Sequence, residues 1–255
     1  SISSTTLLIC SGNTFDYSPD ETNGDTVPLN TTYTWTLPVV APAGSITGAT
    51  EQPTASSTIS QFLENTTTNP ATVTYTVTPV SGACIGLDFD VVVTVNPSIF
   101  VSSTAVNNSC FQSNNASLEI DITGGVPFTT GAPYTISWVG PNGYTSTNEA
   151  IFNLEAGTYT LDILDDGGCP YSETFTITEP DELTFSFIDF DPETISCFDA
   201  NDGEISLGAS GGTLPYDYTW SLDGLPFSTD EDLTDLGPGD YLISVTDTNN
   251  CGPID

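Results

Sequence analysis

The sequence predicts an all-β chain of tandem antiparallel β-sandwiches, and three observations predict it. Composition is the first: 10% of the 255 residues are aromatic, 37% are apolar and 41 are Thr. β-Branched and aromatic side chains fit a pleated, half-buried surface. Period-2 alternation is the second, with Leu183, Phe185 and Phe187, Tyr159, Leu161 and Ile163, and Tyr241, Ile243 and Val245 each alternating with polar neighbours. Internal repetition is the third. Cys110-Phe111, Asn114, Leu118 and Gly124-Gly125 recur 87 residues later as Cys197-Phe198, Asn201, Ile205 and Gly211-Gly212. Tyr134, Trp138, Leu154, Gly157, Tyr159, Asp165 and Cys169 then recur at an offset of 82. Two copies of one module of about 80 residues are implied.

Three domains follow in order. Residues 1–97 form the first, with Cys10 and Cys84, a Tyr33-Thr34-Trp35 strand, an alternating run over 72–78 and a closing strand from Asp88 to Val95. Within it Thr58 to Glu64 reads as at most a helical turn. Residues 98–180 are the first repeat, closed by a strand from Glu173 to Thr178, and residues 181–255 are the second. Pro97 and Pro180 mark the boundaries, since proline ends a ladder. Short strands with turn signals every 8 to 12 residues point to immunoglobulin-like sandwiches. The second repeat stops four residues after Cys251, before its closing strand. We therefore expect the natural chain to continue, or a partner strand to complete that sheet.

Charge removes whole classes of function. The chain has 34 acidic residues and no Lys, Arg, His or Met, a formal charge of −34. Nucleic acid and anionic membrane surfaces need cations that are absent. So do a Ser/His/Asp triad, a Cys/His pair, a His-ligated zinc, a Schiff-base lysine and an arginine phosphate clamp. No apolar run is long enough to span a membrane. Carboxylate pairs alone suit glycoside hydrolysis, but small sandwiches with core aromatics offer it no deep cleft. We expect no catalytic residue and no enzyme.

Trp35, Trp138 and Trp220 are expected in the cores, as the tryptophan of the third strand, rather than as a platform for sugars. The stretches 154–159 and 236–241 read as tyrosine corners that fasten a loop to a sheet. Asn201-Asp202-Gly203 reads first as a tight turn and second as part of a cation loop with Asp199.

Six cysteines, two per domain, imply an oxidising compartment. The first expectation is pairing within domains: Cys10 with Cys84, Cys110 with Cys169, Cys197 with Cys251. The strand order raises a difficulty, because Tyr159 lies ten residues before Cys169. That puts Cys169 in the final turn of its sandwich, whereas Cys110 falls between the first and second strands, at the other end. Stacked head to tail, the first turn of one domain faces the final turn of the next. The second pairing is then Cys10 with Cys169 and Cys110 with Cys251, leaving Cys84 and Cys197 for neighbours.

The patterns Cys-Phe-x-x-Asn-(Asn/Asp), Gly-Gly, (Ile/Tyr)-x-Trp, Leu-x-x-Gly-x-Tyr, Asp-x-x-(Gly/Asn)-Cys and Phe-Thr-Ile-Thr-Glu-Pro, over about 98 to 255, resemble the SprB repeat. Residues 1–97, with Ile9-Cys10-Ser11-Gly12, Leu63-Glu64-Asn65-Thr66-Thr67 and Val93-Thr94-Val95-Asn96-Pro97, resemble the PKD-like domain often found beside it. The resemblance implies a very large surface adhesin of gliding bacteria that use type IX secretion.

Half of the acidic residues, 17 of 34, lie in residues 181–255. Asp189, Asp191 and Glu193 alternate near its start, with Asp199 and Asp202 beyond, and Asp230, Glu231, Asp232 and Asp235 cluster later. The first reading is a solvated, self-repelling surface. The second is Ca²⁺ held at a domain junction by Asp189, Asp191, Glu193, Asp199 and Asp202, although no 12-residue calcium loop is matched. No other cofactor is expected.

The expected function is a structural and adhesive stalk of a secreted, extracellular cell-surface adhesin. Its expected partners are neighbouring domains of the same long chain and surface polysaccharide or other extracellular material, with no nucleic acid and no membrane insertion. The alternative is a carbohydrate-binding array of a secreted polysaccharide-degrading protein, favoured if Phe128, Tyr144 and Phe227 form a flat exposed row. A filament subunit completed by a donated strand is a third reading.

Overall fold

The computed structural model describes residues 1–21, 24–189, 197 and 200–255. Its strands gather around three separate apolar cores.

The first core is enclosed by ten strands: β1 (Thr5–Cys10), β2 (Asn13–Tyr17), β3 (Thr32–Trp35), β4 (Val39–Ala41), β5 (Ile46–Thr47), β6 (Gln52–Ser56), β7 (Ile59–Asn65), β8 (Ala71–Ser81), β9 (Cys84–Ile85) and β10 (Phe89–Asn96). One sheet runs β1-β10-β8-β3-β6, with β4 and β9 also on β8, and it faces the sheet β2-β7-β5. The alternation read in the sequence buries Ala71, Val73, Tyr75 and Val77 of β8 against Val91, Val93 and Val95 of β10. Two local expectations need correction. The stretch read as a helical turn is β7, because Ile59 and Leu63 are fully buried and its backbone pairs with β2. The sheets are also not wholly antiparallel, since β1 runs parallel to β10 from Thr5 opposite Val91 to Cys10 opposite Asn96.

The second core lies between β11 (Ile99–Val106), β12 (Ala116–Gly124) and β15 (Ala150–Leu154) in one sheet, and β14 (Thr145–Ser146), β13 (Thr135–Val139), β16 (Gly157–Leu164) and β17 (Pro170–Ile177) in the other. Three strands packed on four, with hairpins between neighbours, is the immunoglobulin-like sandwich. The third core repeats it, with β18 (Thr184–Asp189), β19 (Gly203–Ser210) and β22 (Leu233–Leu236) facing β21 (Leu225–Ser228), β20 (Tyr216–Leu222) and β23 (Tyr241–Asp247). Where β17 pairs with β16 along its whole length, β23 meets Ile254 in a single bridge at Val245.

The three tryptophans sit in the cores, with Trp138 and Trp220 almost wholly buried. Each indole N–H donates 2.9 Å to a backbone carbonyl: Trp35 to Thr50, Trp138 to Asn148 and Trp220 to Asp230. Both tyrosine corners form, the Tyr159 and Tyr241 hydroxyls donating 3.1 Å to the carbonyls of Glu155 and Gly237. A second tyrosine pair was not foreseen: Tyr134 and Tyr216 donate 2.7 Å to the carbonyls of Gly124 and Gly211. These glycines have φ of +74° and +77°, and a Cβ there would strike the Ser98 and Glu182 carbonyls respectively.

Candidate functional site

The residues that set this chain apart sit where one sandwich meets the next. The final turn of each repeat is built on a buried aspartate. Asp165 accepts the Cys169 N–H at 2.8 Å on Oδ1 and the Val126 N–H at 2.7 Å on Oδ2. Asp247, 82 residues on, accepts the N–H groups of Cys251 at 2.8 Å and Asn249 at 2.9 Å on Oδ1 and that of Thr213 at 2.7 Å on Oδ2. Both carboxylates are at most 2% exposed. In a chain without Lys, Arg or His, backbone N–H groups supply the partners that a buried carboxylate needs. The turn so locked holds its cysteine at the end of the sandwich.

The facing turn is built differently. In the loop between β11 and β12, Asn108 is buried and its Oδ1 accepts the N–H groups of Asn115 at 2.9 Å and Ala116 at 3.1 Å, shaping the loop that presents Cys110. In the first sandwich Cys10 ends β1, and the next residue, Ser11, donates its N–H to the Asn96 carbonyl at 2.9 Å.

Head-to-tail stacking brings these turns together. Cys10 is bonded to Cys169 and Cys110 to Cys251, each pair with Cα atoms 5.5 Å apart. Lesser contacts flank both links: the Asn96 side-chain amide donates to the Gly167 carbonyl at 3.4 Å, and that of Asn249 to the Ser109 carbonyl at 3.1 Å. A Cβ at Gly167 would meet the Asn96 side-chain amide, which would have to shift away from the Gly167 carbonyl to make room.

The expected pairing within domains is therefore corrected, and strand length is the reason. Cys10 lies opposite Asn96, at one end of β10, whereas Cys84 lies opposite Ser81, at the far end of β8. Ten residues of β8 at about 3.3 Å each separate them by roughly 30 Å, while a disulfide spans Cα atoms less than about 7 Å apart. Likewise Asn108 meets Thr178, just beyond β17, while Cys169 immediately precedes that strand. Cys84 and Cys197, expected to be bonded, are free and exposed.

Of the calcium candidates, Asp191, Glu193 and Asp199 lie outside the described residues. Asp189 closes β18 opposite Ser206, and Asp202 precedes β19. Among the described residues no group of three or more His, Cys, Asp or Glu is placed to hold a metal ion. Asn201-Asp202-Gly203 is no left-handed turn, because none of the three has positive φ and Gly203 already opens β19. The later acidic cluster is used locally: Asp232 Oδ1 accepts the Leu207 N–H at 2.9 Å and Asp230 Oδ2 the Ser228 hydroxyl at 2.8 Å.

Tyr144 stands edge-on to Tyr159 at 79° and Phe227 edge-on to Tyr241 at 78°, in different sandwiches, and Phe128 is half-buried. Burial, with a hydrogen bond to Glu173, lifts the Tyr171 phenol to about 12; burial, with one to Glu231, does the same for Tyr218. Burial alone raises Tyr75. No helix among the described residues is long and apolar enough to cross a membrane.

Fold and junctions define a class, a tandem array of immunoglobulin-like sandwiches cross-linked from one to the next. Within that class, residues 7–99 match the PKD-like domain, and residues 102–143 and 190–224 match the SprB repeat. The chain thus carries a PKD-like domain followed by SprB repeats, an arrangement that fits a structural segment of adhesin type. Among solved structures, it is similar to the N-terminal eight Ig domains of Down Syndrome Cell Adhesion Molecule, at 13% identity and a TM-score of 0.45, covering 95% of this chain and 35% of that one. It is also similar to three N-terminal domains of the highly immunogenic outer capsid protein (Hoc) of bacteriophage RB49, at 14% identity and a TM-score of 0.38, covering 96% and 90%. The chain spans about a third of the cell adhesion molecule's fragment. No curated protein matches the sequence.

Proposed function

We propose that this chain is a load-bearing stalk segment of a large secreted adhesin at the cell surface, serving surface attachment and gliding. The observation that carries this reading is the pair of disulfides joining different sandwiches, Cys10 to Cys169 and Cys110 to Cys251. A cross-link inside a domain stabilises that domain alone; one between domains passes tension across the junction and limits bending. The SprB repeats and the PKD-like domain support the adhesin reading, and the disulfides support an oxidising, extracellular setting. Neighbouring domains and extracellular polysaccharide are the partners this reading names. The edge-on packing of half-buried Tyr144 on buried Tyr159 supports the stalk over the carbohydrate-binding alternative.

Fab fragments raised against residues 1–255 test the proposal. Added to intact cells that make the protein, they should label the surface and lower attachment to glass. Labelling only after the cells are broken, or attachment unchanged under saturating label, would contradict it.

A further inference from the structure

The two formed cross-links obey one rule. A cysteine in the first turn of a sandwich, Cys10 or Cys110, bonds a cysteine in the final turn of the next, Cys169 or Cys251. The two remaining cysteines occupy the two halves of that rule. Cys84 lies between β8 and β10, the antiparallel pair that corresponds to β16 and β17 around Cys169, so it is the final-turn cysteine of the first sandwich. Cys197 lies between β18 and β19, 87 residues after Cys110 between β11 and β12, so it is the first-turn cysteine of the third. Both are free and exposed.

The surroundings of Cys84 are shaped like one side of a junction. It borders a cleft lined by Ile2, Pro79, Val80, Ile85 and Leu87, and the apolar side chains beside it are open to solvent: Ile85 is 75% exposed, Leu87 81% and nearby Leu29 90%. At the formed Cys110–Cys251 junction, Phe111, Leu183 and Ile254 line the cleft around the link. Apolar groups exposed in the one case flank a completed disulfide in the other. Large apolar side chains left in solvent beside a cleft are the kind of surface that a partner covers.

We infer that Cys84 and Cys197 are complementary half-links, and that a second copy of this array joins the first head to tail through a Cys197–Cys84 disulfide. The oxidant is a small disulfide such as oxidised glutathione. The Cys84 thiolate attacks one of its sulfurs, breaking the S–S bond and releasing one small thiol that takes up the cysteine's proton. The Cys197 thiolate of the second copy then attacks the Cys84 sulfur of that mixed disulfide, and the second small thiol leaves with the other proton. Two cysteine thiols are oxidised and one small disulfide is reduced to two thiols.

The test uses two single variants of the full chain, Cys84→Ser and Cys197→Ser, carrying tags of different size. Both sites are exposed, so both variants should fold, checked by their melting temperature and by peptides showing Cys10–Cys169 and Cys110–Cys251 intact. Mixed in a glutathione redox buffer, they should give the heterodimer at least tenfold above either homodimer, and the unaltered chain should give a ladder containing a Cys197–Cys84 peptide. Random collision would give only twice as much heterodimer as each homodimer. That ratio, glutathione adducts without dimer, or a Cys84–Cys197 bond within one chain would overturn the inference. Such a failure would leave the stalk reading standing, since that reading rests on the links already formed.

Discussion

Asp165 and Asp247 show how a chain with no cationic side chain uses buried charge. Each organises a turn by accepting backbone N–H groups, and hydrogen bonds to a charged acceptor contribute about 1.5–3 kcal/mol. Asp165→Ala leaves the Val126 and Cys169 N–H groups without this acceptor. It should cost about 2–4 kcal/mol in urea unfolding and slow formation of the Cys10–Cys169 bond. Asp166→Ala, at an exposed neighbour, should cost less than about 0.5 kcal/mol. The tyrosines give a pH dependence of definite sign. Below pH 10.0, the ordinary phenol value, folded and unfolded chains are equally protonated at these groups and stability is unaffected. As pH rises above it the unfolded chain loses protons first, while folded Tyr171 and Tyr218 hold theirs to about 12. Stability therefore falls with rising pH between these values. The urea midpoint of a variant lacking Cys84 and Cys197 should drop from pH 9 to pH 11. A midpoint constant over that range would contradict the burial of these phenols.

At the scale of the element, alternation and repetition made most strands legible. Residues 72–78 read as a strand because every second side chain is apolar, and the tyrosine corners read from Leu-x-x-Gly-x-Tyr because that local geometry recurs. β7 was misread because Ile59 and Leu63 stand four apart, a spacing that helix and strand share, and only the pairing with β2 decides between them. The parallel approach of β1 to β10 depends on residues more than 80 apart in sequence, which no local pattern encodes. Cysteine partners were hidden for the same reason, although the end of the sandwich at which each cysteine lies was legible and one of the two readings contained the observed pairs. The roles of Asp165, Asp247 and Asn108 were missed; the first two stood in the repeat as matched positions, and a matched acidic residue four before a matched cysteine was the available signal. Gly-Gly was a similar signal for a close approach. Gly131→Ala, at φ +83° with open space around it, should cost about 1 kcal/mol, the left-handed backbone alone. Gly124→Ala, which adds a collision with the Ser98 carbonyl, should cost clearly more in the same urea assay.

Across the whole molecule two features dominate, a single sign of side-chain charge and an interleaved covalent path. With 34 acidic side chains and no basic ones, every pair of side-chain charges repels. Screening shortens from about 30 Å at 0.01 M salt to about 3 Å at 1 M, so the melting temperature should rise steadily with NaCl over that range. Ca²⁺ at matched ionic strength separates general screening from a specific site: an extra rise at millimolar Ca²⁺ would indicate bound calcium, and an identical melt would remove that reading. The covalent path sets how tension crosses the sandwiches. Because Cys10–Cys169 and Cys110–Cys251 interleave, the shortest route from Ser1 to Asp255 runs to Cys10, across to Cys169, back along the chain to Cys110 and across to Cys251. That route holds about 70 residues, roughly 250 Å when extended, against about 900 Å for the open chain. Pulling the Cys84→Ser/Cys197→Ser variant by its two ends measures this most directly. The oxidised variant should stop near 250 Å and the reduced one near 900 Å. An oxidised limit near 700 Å, as a Cys110–Cys169 link alone would give, or no difference between the two forms, would contradict the account.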